Sequence, residues 1–170
     1  MSFPDGLTPA QLLYPDLDNE IATTKKMLAA VPDGKNDWKP HDKSMSLGQL
    51  ASHLAELPKF GTIMLQTEEM DFATAGWKPS SHESTEARLA DFEKLAAEMK
   101  EHVNKASWED LAKSWTLRSG EQVFLTQQKA PLIRSFAISH IAHHRAQLGV
   151  YLRLLGLVIP GSYGPSADEM

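Results

Sequence analysis

The chain has 170 residues, of which 42% are hydrophobic and 23% are charged, and its formal net charge is −5. This composition is typical of one globular domain, residues 1–170, and it excludes a disordered chain. The absence of any basic run excludes a surface that binds nucleic-acid phosphates. The sequence has no cysteine, no apolar run of membrane-spanning length and no secretory signal pattern in its first residues. We therefore expect a cytoplasmic protein without disulfides, thiolate nucleophiles or a membrane span.

Leu and Ala together number 40, against 11 for Val and Ile, which favours helices over strands. Capping boxes open the first two helices, at Thr8 and at Ser46. Pro15 and Pro58 lie inside these helices and should kink or bend them. The apolar periodicity predicts four helices, at about 8–30, 47–66, from 84 or 85 onward, and 131–155.

The connections between these helices are long and uneven. Residues 67–84 are predicted to form a loop, and residues 115–125 are predicted to form either a small hairpin or an ordered loop. The layout therefore predicts an all-α fold, a four-helix bundle with long crossover connections.

The last helix carries the main candidates for chemistry. Each residue advances a helix by about 100°, which places His140 and His144 close together on the apolar stripe. Gln147 also points inward on this count, and His143 falls at the edge of the stripe. Two histidines spaced i, i+4 on one face could hold a divalent metal. The alternative is a pair of core histidines that are satisfied by neighbouring polar groups.

The second helix adds a third histidine, because His53 lies within the apolar stripe formed by Leu50, Leu57 and Phe60. Buried histidines on two helices are the pattern expected of a metal site in a bundle. Three histidine ligands leave coordination positions open, as catalytic sites do. Glu56 could orient a ligand, act as a general base or face solvent, and solvent exposure is the favoured interpretation because most helical glutamates are exposed.

Two segments resemble a known family. Residues 140–148, HIAHHRAQL, resemble the last-helix signature of the DinB superfamily, also called the DinB/YfiT-like metalloenzymes. Residues 46–54, SLGQLASHL, resemble the family's second-helix segment with its single histidine. The resemblance implies a four-helix bundle in up-down-down-up order, often a homodimer. It also implies a divalent metal, commonly nickel or zinc, held by His53, His140 and His144.

The function expected on these grounds is that of a metal-dependent enzyme, either a thiol-dependent transferase or a hydrolase. The metal would activate a water molecule or a low-molecular-weight thiol against a small-molecule substrate. Iron or manganese could replace nickel or zinc. Glu56, Gln147 and Tyr151 are candidate catalytic or supporting residues. The alternatives are a non-catalytic metal-binding or stress-related homodimeric bundle, and a helical bundle without a metal.

Overall fold

A computed structural model describes residues 6–170, so the first five residues, which belong to the segment examined for a secretory signal, lie outside the description. The described residues form eight α-helices, one π-helical segment and three strands. The α-helices are α1 (Pro9–Leu13), α2 (Leu17–Ala29), α3 (Leu47–Glu56), α4 (Pro58–Gln66), α5 (Thr85–Lys105), α6 (Trp108–Ala112), α7 (Lys129–Leu132) and α8 (His140–Leu154). The π-helical segment is Ile133–Ser139, and the strands are β1 (Glu69–Asp71), β2 (Ser114–Ser119) and β3 (Gln122–Gln128).

The four predicted helices are all present, and the two predicted to be disturbed by proline are broken. Helix α3 ends at Glu56 and α4 begins at Pro58, so the helix is interrupted at the position where the proline was predicted to disturb it. Helix α2 packs against α5 and α8, and α3 also packs against α5 and α8. Helix α4 packs against α5 and the π-helical segment. No helix within residues 6–170 combines the length and apolar character needed to cross a bilayer.

The all-α prediction is incomplete, because the connections form a three-stranded sheet in the order β1-β2-β3. Strand β1 pairs with β2 in parallel, and β2 pairs with β3 as an antiparallel hairpin. The hairpin turns at Gly120, whose φ of 58° is a left-handed conformation that favours glycine. Strand β1 was not predicted, because its three residues are too few to show an alternation of polar and apolar side chains and because its partner strand lies more than 40 residues away.

Asp71 joins the end of β1 to the turn between β2 and β3. Its Oδ1 atom accepts hydrogen bonds from the backbone N–H groups of Ala73 and Gly120, each at 2.9 Å. Its Oδ2 atom lies 2.7 Å from Nη1 of Arg118. The hydrogen bond from Gly120, followed by that from Ala73, holds the pKa of Asp71 below its usual range. The end of β1 and the hairpin turn are therefore tied together, which sets the position of Phe72.

A buried ion pair joins the first and last long helices. Nη1 of Arg145 lies 2.6 Å from Oε2 of Glu20, and the two side chains are 1% and 4% exposed. The same Nη1 also donates to Oγ1 of Thr24 at 3.1 Å, and the guanidinium lies 5.2 Å from the ring centroid of Tyr163. Because both charges are removed from water, each depends on the other for compensation.

We predict that Glu20→Gln lowers the free energy of unfolding by about 3–5 kcal/mol, because it leaves the Arg145 guanidinium buried without a counter-charge. Urea-induced unfolding measures the change. The double variant Glu20→Met/Arg145→Met should recover most of the loss. Glu101→Gln, which removes an exposed partner of Lys105, is the control and should leave stability nearly unchanged. Equal losses in the control and in Glu20→Gln would contradict the prediction.

We predict that Gly120→Ala destabilises the protein by about 1–2 kcal/mol, because an alanine at positive φ brings its Cβ close to the backbone. Gly164→Ala is the matched control, since an added Cβ meets no atom within 4 Å at Gly164 and the backbone there is not left-handed. Thermal unfolding of both variants measures the difference. An unchanged midpoint for Gly120→Ala would show that the turn tolerates a side chain.

Candidate metal centre

The last helix brings two of the predicted ligands together. Helix α8 begins at His140, directly after the π-helical segment, and His144 follows one turn later. The two Nε2 atoms face each other at 2.9 Å, and the ring centroids lie 4.6 Å apart. Two imidazole nitrogens this close need a proton or a cation between them, because bare lone pairs would repel each other.

His53 of helix α3 completes a cluster of three imidazoles. Its ring centroid lies 5.4 Å from that of His140 and 4.8 Å from that of His144. One nitrogen from each ring falls within 4.8 Å of the others, and no further His, Cys, Asp or Glu of residues 6–170 joins this group. The structure therefore places together the three histidines that the sequence singled out, while their role as ligands stays a prediction.

Each ring also has a second polar partner. Nδ1 of His53 lies 3.0 Å from Oε1 of Glu56, and Nδ1 of His144 lies 2.7 Å from Oε1 of Gln147. The ring of His140 hydrogen-bonds to the backbone of Phe136, one turn earlier. These acceptors hold the Nδ1 protons of His53 and His144, which directs the Nε2 lone pairs of these two rings towards the cluster.

The expectation that Glu56 faces solvent is wrong. The residue is 1% exposed, and its Oε2 atom accepts the backbone N–H of Ser80 at 2.8 Å. Burial acts to raise the pKa of Glu56, but hydrogen bonds from His53 and Ser80 outweigh it and hold the pKa below its ordinary value. Glu56 is therefore a buried carboxylate that connects a cluster histidine to the loop before α5. The sequence could not show this, because Ser80 lies in a connection without a readable pattern.

The surroundings of His140 and His144 favour the neutral form of these two rings. Burial is the main cause that lowers the pKa of His144 to about 4, and the neighbouring histidines lower it further, against the hydrogen bond to Gln147. Burial also lowers the pKa of His140, followed by the charge of His53. These two rings are therefore uncharged at neutral pH, and the uncharged imidazole is the form that binds a metal.

The structure places Gln147 differently from the inward orientation that helical geometry predicted, and it gives Tyr151 a hydrogen-bond partner outside the cluster. Gln147 is exposed, although its amide reaches His144. Tyr151 donates its hydroxyl hydrogen bond to the carbonyl of Met45 at 3.2 Å and packs edge-on against Trp38. His143 is also exposed, with its ring 4.8 Å from that of His144.

The buried face of α8 is turned by roughly a quarter turn from the predicted one, and its centre lies on Ile141, Leu148 and Leu152. Two causes explain the difference. The sequence count treated residues 133–139 as ordinary α-helix, but they form the wider π-helical segment. The count also left out Arg145, which is buried because it pairs with Glu20.

The loop before α5 is fixed by contacts that sequence reasoning missed. The side chain of His82 is only 13% exposed, and its Nε2 atom lies 3.0 Å from Oδ2 of Asp91. Its backbone N–H donates to Oγ of Ser52 at 3.1 Å, and its carbonyl accepts from the buried Arg88 at 2.9 Å. Because Ser52 and Glu56 both lie on α3, the loop is anchored to the helix that carries His53.

Two clefts border the histidine cluster and are lined by different members of it. The smaller cleft has a volume of about 180 Å³ and is lined in part by His140. The larger cleft has a volume of about 420 Å³ and is lined in part by His53 and Glu56. Both are bordered by Phe60 and Phe72. The smaller cleft is otherwise lined by Met64, Trp115, Leu117 and Phe136. The larger is otherwise lined by Met45, Gln49, Trp77, Pro79 and Ser80.

The donor set fits a divalent cation. Three imidazoles are a ligand set of zinc, nickel and iron centres, and the second partners at Glu56 and Gln147 are of the kind that orients metal-bound histidines. A cation at this point would also remove the lone-pair repulsion between His140 and His144 at 2.9 Å. The adjoining clefts give a small molecule access to such a centre.

Comparison with known proteins identifies relatives of this architecture. The chain is 29% identical over 153 residues to the uncharacterized protein YrdA of Bacillus subtilis, covering 88% of this chain and 85% of YrdA. Its fold resembles that of YfiT from B. subtilis, called a probable metal-dependent hydrolase with an unusual four-helix bundle topology, with a TM-score of 0.64, 15% identity and coverage of 93% and 95% of the two chains. A DinB-like protein from Bacillus cereus is similar, with a TM-score of 0.65, 20% identity and coverage of 89% and 95%. The DinB family model matches residues 7–170, and the chain therefore belongs to the DinB family.

Proposed function

We propose that this protein is a metal-dependent hydrolase whose centre is formed by His53, His140 and His144. The observation that carries the proposal is the convergence of three imidazole nitrogens within 4.8 Å at the junction of two clefts. The name of YfiT, a probable metal-dependent hydrolase of similar fold, supports it. A divalent metal at this centre would lower the pKa of a water molecule and make it a nucleophile near neutral pH.

The chain's own residues have distinct roles in this proposal. The three histidines hold the cation, and neutral rings at His140 and His144 make this possible without loss of a proton at neutral pH. Glu56 and Gln147 hold the Nδ1 protons of His53 and His144, so that the opposite nitrogens face the centre. Both oxygens of Glu56 already accept hydrogen bonds, from His53 and from Ser80. We therefore assign Glu56 as a positioning residue rather than a general base.

The reaction consumes one water molecule for each bond broken. The water oxygen adds to an electrophilic carbon, the bond from that carbon to the leaving group breaks, and a proton passes from the water to the leaving group. A thiol in place of water would make the same centre a thiol-dependent transferase, so the test compares both nucleophiles.

We predict that protein purified without a polyhistidine tag contains about one divalent ion per chain, nickel or zinc, by elemental analysis. It should hydrolyse uncharged carboxylic esters, and chelator treatment should reduce the rate to background. His53→Ala, His140→Ala and His144→Ala should each lose both metal and activity.

His41→Ala is the matched control, because His41 lies exposed in a loop, and this variant should keep the metal and the rate of the parent protein. Full metal content in His140→Ala would reject the ligand set. Chelator-sensitive turnover that requires an added thiol would favour the transferase, and metal binding without turnover of any ester would favour a non-catalytic protein.

We predict that Glu56→Gln weakens metal binding by about 10–100-fold, because the neutral amide no longer provides a carboxylate for both His53 and the Ser80 N–H. Competition with a chromophoric chelator measures the affinity. Glu121→Gln, at the exposed hairpin turn, is the control. An affinity equal to that of the parent protein would show that Glu56 does not position His53.

A further inference from the structure

The smaller cleft has an unusual lining for a space beside three histidines. Except for His140, all of its lining residues are apolar: Phe60, Met64, Phe72, Trp115, Leu117 and Phe136. No lysine, arginine, carboxylate or hydroxyl of the described residues borders it. A charged group entering this cleft would lose its hydration without gaining a partner, at a high free-energy cost.

The size of the cleft limits what can enter. Its volume is about 180 Å³, and an apolar cavity of about 150 Å³ is known to accept a benzene molecule. A phenyl ring or a butyl chain therefore fits, while a two-ring group does not. Because His140 is part of the lining, the polar end of such a molecule can lie beside the histidine cluster.

Phe72 forms the boundary between the two clefts, because it lines both of them together with Phe60. The ring of Phe60 is held by Trp77, with centroids 5.2 Å apart. Phe72 is 38% exposed, and its backbone N–H donates to the carbonyl of Arg118 at 2.9 Å. Phe72 is therefore held by the sheet through its backbone, while its side chain can be shortened without opening the core.

We propose that the smaller cleft is a subsite for an uncharged apolar group of about the size of a phenyl ring or butyl chain, and that Phe72 sets its upper size limit. The inference rests on the proposed function and names its substrate class, neutral small molecules with a compact acyl or aryl group. The larger cleft, which is lined in part by Gln49, Glu56 and Ser80, then binds the more polar remainder of the substrate. An anionic thiol such as glutathione is a poor match for the smaller cleft.

The test uses methyl signals of methionine, because Met64 lines the smaller cleft and Met45 the larger. Full-length protein with ¹³C-methyl methionine is titrated with benzamide and with benzoate, which share size but differ in charge. Both the protein as purified and chelator-treated protein are used. We expect benzamide to shift the Met64 signal in both states, and to bind at least about tenfold more tightly than benzoate after chelation, since burial of an unpaired charge is costly.

Three variants define the boundary of the subsite. Phe72→Ala should bind the two-ring amide 4-phenylbenzamide at least about tenfold more tightly than the parent protein, because burial of apolar surface contributes about fourfold for each methylene-sized unit. Leu117→Trp fills the cleft and should abolish the Met64 shift. Phe124→Ala is the matched control, because Phe124 is 51% exposed, contacts Phe72 and lines neither cleft.

The outcomes separate the subsite from the proposed function. Benzamide binding at Met64 in a protein that is purified without a metal and takes up neither added nickel nor added zinc would reject the metal centre and keep the subsite. Metal binding with no benzamide shift at Met64, or with benzoate bound as tightly as benzamide after chelation, would overturn the subsite and leave the metal centre standing. Equal effects of Phe72→Ala and Phe124→Ala would overturn the role of Phe72.

Discussion

Three imidazoles share one small volume between the second and last long helices, and the organisation of the site depends on this crowding. Burial and the neighbouring histidines lower the pKa of His140 and of His144, most clearly at His144, whose pKa falls to about 4. The rings stay in place because Glu56, Gln147 and the backbone of Phe136 satisfy their other polar groups. A cluster held in this way has its remaining nitrogens directed at one point, which is the arrangement that a cation stabilises.

The elements outside the bundle determine what can reach that point. Asp71 ties β1 to the hairpin turn and so places Phe72, while Glu56 and Ser52 anchor the loop that carries Ser80 and His82. The same α3 carboxylate that orients His53 also holds this loop. Glu56 therefore contacts both a histidine of the cluster and the loop that lines the larger cleft.

The break at Pro58 and the π-helical segment at Ile133–Ser139 lie on facing helices beside the cluster. Helix α4 packs against the π-helical segment, and Phe60 and Phe136 project from these two elements into the smaller cleft. π-Helical segments are frequent at functional sites. Here the irregularity accompanies an apolar cleft of about 180 Å³ next to His140.

The sequence alone determined the four long helices, two capping boxes, the Pro58 break and the three histidines, because each depends on local chemistry or on helical periodicity. The sequence could not determine the small sheet, the burial of Glu56 or the ion pair that turns α8. Strand β1 forms only by pairing with the distant strand β2. Glu56 is buried because it accepts hydrogen bonds from His53 and Ser80. Arg145 is buried because it pairs with Glu20. Such pairings join residues far apart in the chain, so only the tertiary structure decides which polar groups find the partners that make burial possible.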